Sequence, residues 1–173
     1  MGKLSLDPPA ILSPGHDLSG FDCGVAGMND WLRRRALKWQ KSGGTRVIVL
    51  TGDSGAVRAF YALATGQVRR AEAPSRMARN TPDPLPVIVL GRLAVDRRWQ
   101  GRGVARSLLL DAFDRVLAIS RSVGVVALMV HALNPDLVPF YRKFGFAPAP
   151  GDDSGLTLFK RVRDIAAEAA PDP

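Results

Sequence analysis

Short apolar runs alternate with polar turns along most of the chain, and the runs are rich in Val, Ile and Leu. Runs of this length and composition predict β-strands, because β-branched side chains pack well on a pleated surface. The predicted strands cover residues 9–13, 45–51, 57–70, 87–95, 125–130 and 156–160, with one more beginning at Phe146. The stretch Gly-Asp-Ser-Gly at 52–55 predicts a hairpin turn between two of them.

Helical periodicity marks two longer segments. Residues 28–41 place Met28, Leu32, Ala36 and Trp39 on one face and Arg34, Lys38 and Lys41 on another. This pattern predicts one continuous helix, capped by Asn29 or Asp30 and ended by Gly43-Gly44. The second helix, 104–123, lies between two apolar strands, so it predicts a right-handed crossover that joins parallel strands.

Three segments have weaker patterns. Residues 71–86 carry prolines and arginines and are predicted to form a mobile, solvent-facing loop. A short helix is predicted from Asn134, regular from Pro139 and ended by Gly145. The Ala-rich tail after Asp164 is predicted to be frayed.

A glycine turn connects the strand 87–95 to the helix that begins at Val104. Gly101 and Gly103 lie in this turn, where glycine lets the backbone adopt positive φ and approach a ligand closely. Converging backbone N–H groups and the helix dipole make such a turn an anion site, and a phosphate or pyrophosphate is the expected ligand. Neither the Walker A pattern nor the Gly-x-Gly-x-x-Gly dinucleotide pattern occurs at this turn, so both of those phosphate-binding classes are excluded.

Composition fits a single domain over residues 1–173, since 46% of the residues are hydrophobic and the length suits one core. Cys23 is the only cysteine, which excludes an intramolecular disulfide and suits a reducing compartment. His16 and His131 are the only histidines, and no spacing typical of zinc ligands is present. No signal peptide or membrane-length apolar run appears, so we expect a cytoplasmic protein without a membrane partner.

The formal net charge of +8, with a pI near 10.5, indicates a negatively charged partner. A strongly positive surface attracts polyanions such as nucleic acid and disfavours a polycationic acceptor such as a polyamine.

The residues Gln100-x-x-Gly103-x-Ala105, together with Phe140-Tyr-Arg-Lys-Phe-Gly-Phe146, resemble the pyrophosphate motif and last helix of GNAT-fold N-acetyltransferases. That resemblance implies an α/β (α+β) fold with a mixed central sheet of six to seven strands flanked by about four helices. Within the family the chain is most similar to the TacT/AtaT-type toxins of toxin–antitoxin systems. The matching stretches are Phe21-x-Cys-Gly24, Asn29-Asp-Trp-Leu32 with its basic continuation to Lys38, Thr45-Arg46 and Leu90-Gly-Arg-Leu-Ala-Val-Asp96.

The resemblance implies an acetyl-CoA-dependent enzyme that acetylates the α-amino group of aminoacyl-tRNA and so blocks translation. It also implies a ribbon-helix-helix antitoxin as partner, and we expect a homodimer. The alternatives are a GNAT enzyme acting on a small amine or a protein N-terminus, and a non-catalytic module that binds acyl-CoA or nucleic acid.

The resemblance assigns roles to individual residues. Backbone N–H groups of the turn would hold the CoA pyrophosphate, Gln100 and Arg106 would add side-chain contacts, and the edge of the strand at 93–95 would pair with pantetheine. The full cofactor-binding set is Leu93, Ala94, Val95, Gln100, Gly101, Arg102, Gly103, Val104, Ala105, Arg106, Asn134 and Phe140. Tyr141 occupies the family's general-acid position, and the spacing favours Phe140 and Phe144 as core residues with Tyr141 pointing elsewhere.

A general base is not obvious from the sequence. His131 is a candidate, but the α-amine of an esterified amino acid has a pKa below about 8, so a useful fraction is already neutral. The candidate nucleic-acid contacts, some of which could hold CoA phosphates instead, are Arg33, Arg34, Lys38, Arg76, Arg79, Arg97, Arg98, Arg142 and Lys143.

Overall fold

The computed structural model of the chain describes residues 5–171. The chain folds into two compact units, each built from two stretches of sequence. The first unit runs through Ala64 and includes Gly91–Ala112, and the second includes Thr65–Leu90 and the residues from Phe113 onward. The predicted single domain stays a prediction.

Seven strands form a mixed sheet in the order β1-β2-β3-β4-β5-β7-β6, which confirms the predicted fold class. The strands are β1 (Ala10–Ile11), β2 (Arg46–Thr51), β3 (Val57–Val68), β4 (Leu85–Val95), β5 (Ala127–His131), β6 (Ala147–Pro148) and β7 (Thr157–Arg161). The pair β4–β5 is parallel, as predicted, with Val87 opposite Ala127 and Leu90 opposite Val130. The pairs β1–β2, β2–β3, β5–β7 and β6–β7 are antiparallel.

The helices of the described residues are α1 (Ala26–Arg34), α2 (Ala36–Lys41), α3 (Ser75–Ala78), α4 (Val104–Ser120), α5 (Val138–Lys143) and α6 (Val162–Ala169). The predicted crossover helix α4 and the predicted last short helix α5 are both confirmed. No helix among residues 5–171 is long and apolar enough to cross a membrane.

The single helix predicted over residues 28–41 is wrong, because the chain breaks at Arg35, where φ is −123° and ψ is −31°. Its predicted cap is also wrong, since α1 already begins at Ala26. Asn29 is instead buried inside α1, where its Oδ1 accepts from the N–H of Cys23 and its Nδ2 donates to Asp22. The predicted end is confirmed, because Gly43 follows α2 with φ of +83°.

The mobile loop predicted over residues 71–86 is wrong in its middle and at its end. Residues 75–78 form α3, and Met77 is buried in a cluster with Val87, Ala127 and Phe159. Burial of an apolar side chain of this size is worth about 1.5–3 kcal/mol, enough to fix a segment that its prolines alone would leave irregular.

The frayed tail predicted after Asp164 is also wrong as far as Ala169. Residues 162–169 form α6, whose Ile165 is 2% exposed. Glu168 of α6 accepts two hydrogen bonds, of 2.7 and 2.8 Å, from the buried Nζ of Lys160. Residues 172 and 173 of the predicted tail lie outside the described residues.

The core of the first unit is aromatic. The rings of Trp31 and Phe60 stack at 5.9 Å, and Phe21 meets Phe60 edge-on at 5.5 Å. These rings anchor α1 and the preceding 21–24 loop against the strands, which fixes the position of that loop.

Candidate functional site

The turn after β4 has the geometry that its sequence predicts. Gly101 and Gly103 adopt φ of +73° and +78°, values at which a side chain is strained. The carbonyl of Gly103 accepts from the N–H of Ser107 at 3.1 Å and so starts the hydrogen bonding of α4. The N–H groups of Val104, Ala105 and Arg106 precede this bond and have no partner within α4. Open donors at the positive end of a long helix form an anion site, while the bound pyrophosphate stays a prediction.

Asp96 fixes the backbone between β4 and this turn. The carboxylate is 1% exposed and accepts from the N–H, Nε and Nη2 of Arg98 at 3.0, 2.9 and 2.8 Å. It also accepts from the N–H of Asp22 at 3.2 Å. The hydrogen bonds from Arg98, more than any other cause, lower the pKa of Asp96 to about 2. The sequence places Asp96 in a stretch that matches the family but assigns it no role, although an aspartate directly before a helical turn is a common capping residue.

Gln100 contributes to the same arrangement. Its Nε2 donates to the carbonyl oxygens of Val95 and Cys23, at 2.8 and 3.1 Å. Gln100 therefore joins the end of β4 to the 21–24 loop, and its predicted contact to CoA stays a prediction. Cys23 is half-buried against the aromatic core, and burial raises the pKa of its thiol.

β4 continues beyond its parallel partner. Its register with β5 ends at Leu90, and five more residues, Gly91–Val95, complete the strand. Leu93 is half-buried, whereas Ala94 and Val95 are buried. A strand segment without a neighbour on one side can pair with an extended ligand, which is the role predicted for residues 93–95.

Tyr141 lies in α5, whose start is fixed by Asn134. The Oδ1 of Asn134 accepts from the N–H of Asp136 at 3.0 Å, so this predicted cofactor contact is also a helix cap. Tyr141 is 5% exposed, and its ring meets those of Phe140 and Phe146 edge-on at 5.2 and 5.6 Å. Burial raises the pKa of Tyr141 to about 12.

The expectation that Phe140 and Phe144 supply the core while Tyr141 points elsewhere is wrong. Both phenylalanines are only half-buried, and Tyr141 is the buried ring. The reason is Gly145, whose φ of +86° reverses the chain and places Phe146 against Tyr141. The phenol is therefore held in an apolar environment that keeps it protonated.

The two histidines occupy ordinary structural positions. His131 is exposed at the end of β5, with Nδ1 at 3.1 Å from the hydroxyl of Thr157. The Nδ1 of His16 accepts from the N–H of Ser13 at 2.9 Å in a turn. A general-base role for His131 stays a prediction.

Some of the predicted nucleic-acid contacts already bind other groups within the protein, whereas others have exposed side chains. Arg98 is bound to Asp96, and Arg33 donates to the carbonyl of Phe21 at 2.8 Å. Arg97 lies 3.8 Å from the carboxylate of Asp22. The other predicted contacts all have exposed side chains: Arg34, Lys38, Arg76, Arg79, Arg142 and Lys143.

Arg92 is a half-buried cation that no sequence pattern singles out, because it lies within an apolar strand. Its guanidinium lies 4.2 Å from the ring centroid of Trp31 and 5.8 Å from that of Trp39. Burial lowers the pKa of Arg92, and no carboxylate of the described residues lies within ion-pair distance. Trp39 is 40% exposed, so a cation and an aromatic surface both face solvent here.

Comparison with known proteins gives a consistent result. The model of the acetyltransferase (GNAT) domain matches residues 76–155. A tRNA-acetylating toxin of Mycobacterium tuberculosis is 44% identical over 153 residues, which are 88% of this chain and 92% of the relative.

Two solved structures are similar over nearly the whole chain. AtaT complexed with acetyl-methionyl-tRNAfMet has a TM-score of 0.88 at 30% identity, covering 96% of this chain and 100% of that chain. A tyrosine-to-phenylalanine mutant of AtaT, bound to the C-terminus of the antitoxin AtaR and to acetyl-CoA, has a TM-score of 0.81 at 29% identity. That match covers 95% of this chain and 98% of the mutant chain.

Proposed function

Since the chain belongs to the GNAT acetyltransferase family, we propose that it moves the acetyl group of acetyl-CoA to the α-amino group of aminoacyl-tRNA. In this role it blocks translation as the toxin of a toxin–antitoxin pair. The observation that carries the proposal is the 44% identity, over most of the chain, to a tRNA-acetylating toxin. The N–H groups at the start of α4, next to the positive-φ residues Gly101 and Gly103, support it from the structure.

Acetyl-CoA is the first substrate. The N–H groups from Gly101 to Arg106 bind its pyrophosphate, and the edge of β4 at residues 93–95 pairs with the pantetheine amides. The Asp96 and Gln100 hydrogen bonds hold the turn in shape before the substrate arrives, which reduces the ordering cost of binding.

Transfer is a direct displacement. The neutral α-amine attacks the thioester carbonyl, a C–N bond forms, the C–S bond breaks, and the Tyr141 hydroxyl gives its proton to the departing thiolate sulfur. The attacking nitrogen releases its extra proton to water, and Tyr141 is reprotonated from solvent. No acyl-enzyme is required, in agreement with the half-buried position of Cys23.

The acceptor needs little activation. An α-amine has a pKa of about 8, lowered further by the neighbouring ester, whereas a lysine side chain has a pKa of about 10.4. The protein therefore works on an aminoacyl group without a strong general base. Exposed arginines and lysines attract the tRNA, in line with the net charge of +8.

We further propose a location, an inhibitory partner and an oligomeric state for the protein. Charged tRNA is a cytoplasmic substrate, so the protein acts in the cytoplasm. A ribbon-helix-helix antitoxin neutralises it, and two copies of the chain form a homodimer. The cytoplasmic location, the ribbon-helix-helix antitoxin and the homodimer are parts of this proposal. The similarity to AtaT bound to the C-terminus of the antitoxin AtaR supports an antitoxin as partner.

The test is transfer of labelled acetyl from acetyl-CoA to charged tRNA. The wild-type protein is expected to label the tRNA only when it is aminoacylated, and Tyr141→Phe to reduce kcat by about 10²–10⁴-fold while acetyl-CoA binding persists. Tyr61→Phe is the matched control, because it removes the hydroxyl of the chain's other tyrosine, which hydrogen-bonds Asp111 in the core. Labelling of small amines or protein N-termini but not of charged tRNA, or binding without any transfer, would contradict the proposal.

A further inference from the structure

The second unit contains a cavity of about 350 Å³ that the acetyl-transfer chemistry does not use. Its floor is apolar and includes Met77 and Val126. Its polar lining consists of Arg76, Arg79, Thr81, Ser120, Arg161 and Arg163. We refer to it as the arginine cavity.

The arginine cavity lies at the amino ends of two strands. The N–H of Val126, just before β5, donates to the carbonyl of Pro86 in β4 at 2.9 Å. The N–H of Val162, just after β7, donates to the carbonyl of Val126 at 2.9 Å. All lining residues of the arginine cavity belong to the second unit, and none of them belongs to the glycine turn.

The charge of the arginine cavity is largely uncompensated. Arg161 is held by Asp164 through two hydrogen bonds of 2.7 Å, so this guanidinium is neutralised. Arg76, Arg79 and Arg163 are exposed, and none of them forms an ion pair with a carboxylate of the described residues. Among residues 5–171, no acidic residue lines the cavity. Such a surface favours an anion with more than one negative charge.

The neutral polar groups narrow the choice of anion. The hydroxyls of Thr81 and Ser120 already donate to the carbonyls of Ala78 and Leu117, each at 2.7 Å, so they offer no further hydrogen to an acceptor. Binding therefore depends on the guanidinium groups, whose planar donors match phosphate oxygens. The cavity is larger than a single phosphate needs, and its apolar floor can accept a ribose or base.

We propose that the arginine cavity binds the phosphodiester backbone of tRNA, as a second contact separate from the one that presents the aminoacyl end. The proposal rests on the proposed function for the identity of the RNA. Arg76 and Arg79 are thereby assigned to this contact, and Arg163, which the sequence analysis did not select, joins them.

The test uses the full-length protein with deacylated tRNA, whose affinity is measured at increasing KCl. The variant is Arg76→Gln/Arg79→Gln/Arg163→Gln, which leaves the Arg161–Asp164 pair intact. We expect affinity to fall about tenfold or more near physiological salt, and the slope of log K against log salt to decrease by about 1 for each phosphate that the variant no longer neutralises. Arg46→Gln, an exposed arginine on β2, is a control outside the cavity, and thermal melting checks the fold of every variant.

A second measurement separates this proposal from the proposed function. The kcat/KM for full-length charged tRNA, divided by that for a charged CCA trinucleotide, is expected to fall about tenfold in the triple variant. If the variant behaves like Arg46→Gln in both measurements, the cavity proposal is wrong even though charged tRNA is acetylated. If tRNA affinity depends on the cavity but wild-type protein transfers no acetyl, the proposed function fails and the cavity proposal stands. If the triple variant loses binding of inorganic phosphate or of the antitoxin but keeps its tRNA affinity, the cavity proposal is also wrong.

Discussion

Tyr141 is a titratable group in an apolar environment, and this determines how the activity should depend on pH. Burial raises the pKa of Tyr141 to about 12, above the usual value of about 10, so its hydroxyl, the proposed proton donor, stays protonated through the mildly alkaline range. The rate of acetyl transfer should therefore rise as the acceptor amine loses its proton and then stay level to about pH 10.

The measurement is a profile of kcat against pH, with an amide-linked analogue of aminoacyl-tRNA that resists alkaline hydrolysis. A decline with an apparent pKa of about 9–10, present in the wild type and absent in Tyr141→Phe, would show that Tyr141 titrates normally and would contradict the buried environment.

Asp96 makes the second prediction at this scale. Its pKa falls from the usual 3.8 to about 2, which corresponds to about 2 kcal/mol of folding free energy. Because the folded-state pKa is depressed, this stabilisation is present above about pH 4 and is lost as the pH falls toward 2. Asp96→Asn should therefore lower the free energy of unfolding by about 2 kcal/mol at neutral pH, with a difference from wild type that shrinks between pH 4 and 2.

Urea denaturation at a series of pH values checks this prediction. Asp53→Asn serves as the control, because Asp53 is an exposed carboxylate in the hairpin turn. A wild-type advantage that stays constant down to pH 2 would show that the carboxylate charge of Asp96 is not the source of the stability.

At the scale of elements, the proposed pyrophosphate site depends on the backbone conformation of the glycine turn. Gly103→Ala introduces a side chain at a φ of +78°, where an L-residue costs about 1–2 kcal/mol, although open space surrounds the position. The backbone relieves this strain by rotating, which misdirects the N–H groups of the turn. We expect acetyl-CoA affinity to fall about tenfold or more.

Gly43→Ala is a strain-matched control for that change. Gly43 has a φ of +83°, and no neighbouring atom lies within 4 Å of an added Cβ, but it follows α2 rather than the turn. Calorimetric titration with acetyl-CoA should show normal affinity for Gly43→Ala and weakened affinity for Gly103→Ala, with similar losses of stability. Equal affinities would mean that the turn donors do not bind the pyrophosphate.

The same scale shows what the sequence could and could not predict. The sequence predicts the apolar strand at 87–95 and the helix at 104–120 well, because the apolar residues that each of them buries form a regular local pattern. The α3 and α6 segments have little apolar pattern of their own, because each buries a single large apolar residue, Met77 or Ile165, and Met77 packs against distant residues of the chain. Sequence patterns indicate the turn glycines but not Asp96 or Arg92, whose importance comes from partners elsewhere in the chain.

At the scale of the whole molecule, charge is the dominant feature. The net charge of +8 comes from 24 lysines and arginines against 16 acidic residues, and many of the basic side chains are exposed. Several acidic residues are already committed to pairs inside the protein, among them Asp96, Asp164 and Glu168. The potential that a partner meets is therefore strongly positive, and it acts on a polyanion before any specific contact forms.

This positive potential predicts that the two substrates respond differently to salt. With acetyl-CoA saturating, kcat/KM for charged tRNA should fall steeply as KCl rises from about 50 to 200 mM, since each neutralised phosphate releases counterions and adds about 1 to the slope of the log–log plot. An aminoacyl ester without phosphates supplies the control, because its amine reacts at the same thioester while its binding releases no counterions. Its kcat/KM should change less than about twofold over the same range. Parallel salt dependence for the two acceptors would show that the positive surface does not attract the tRNA and that salt acts on the binding of acetyl-CoA or on the fold instead.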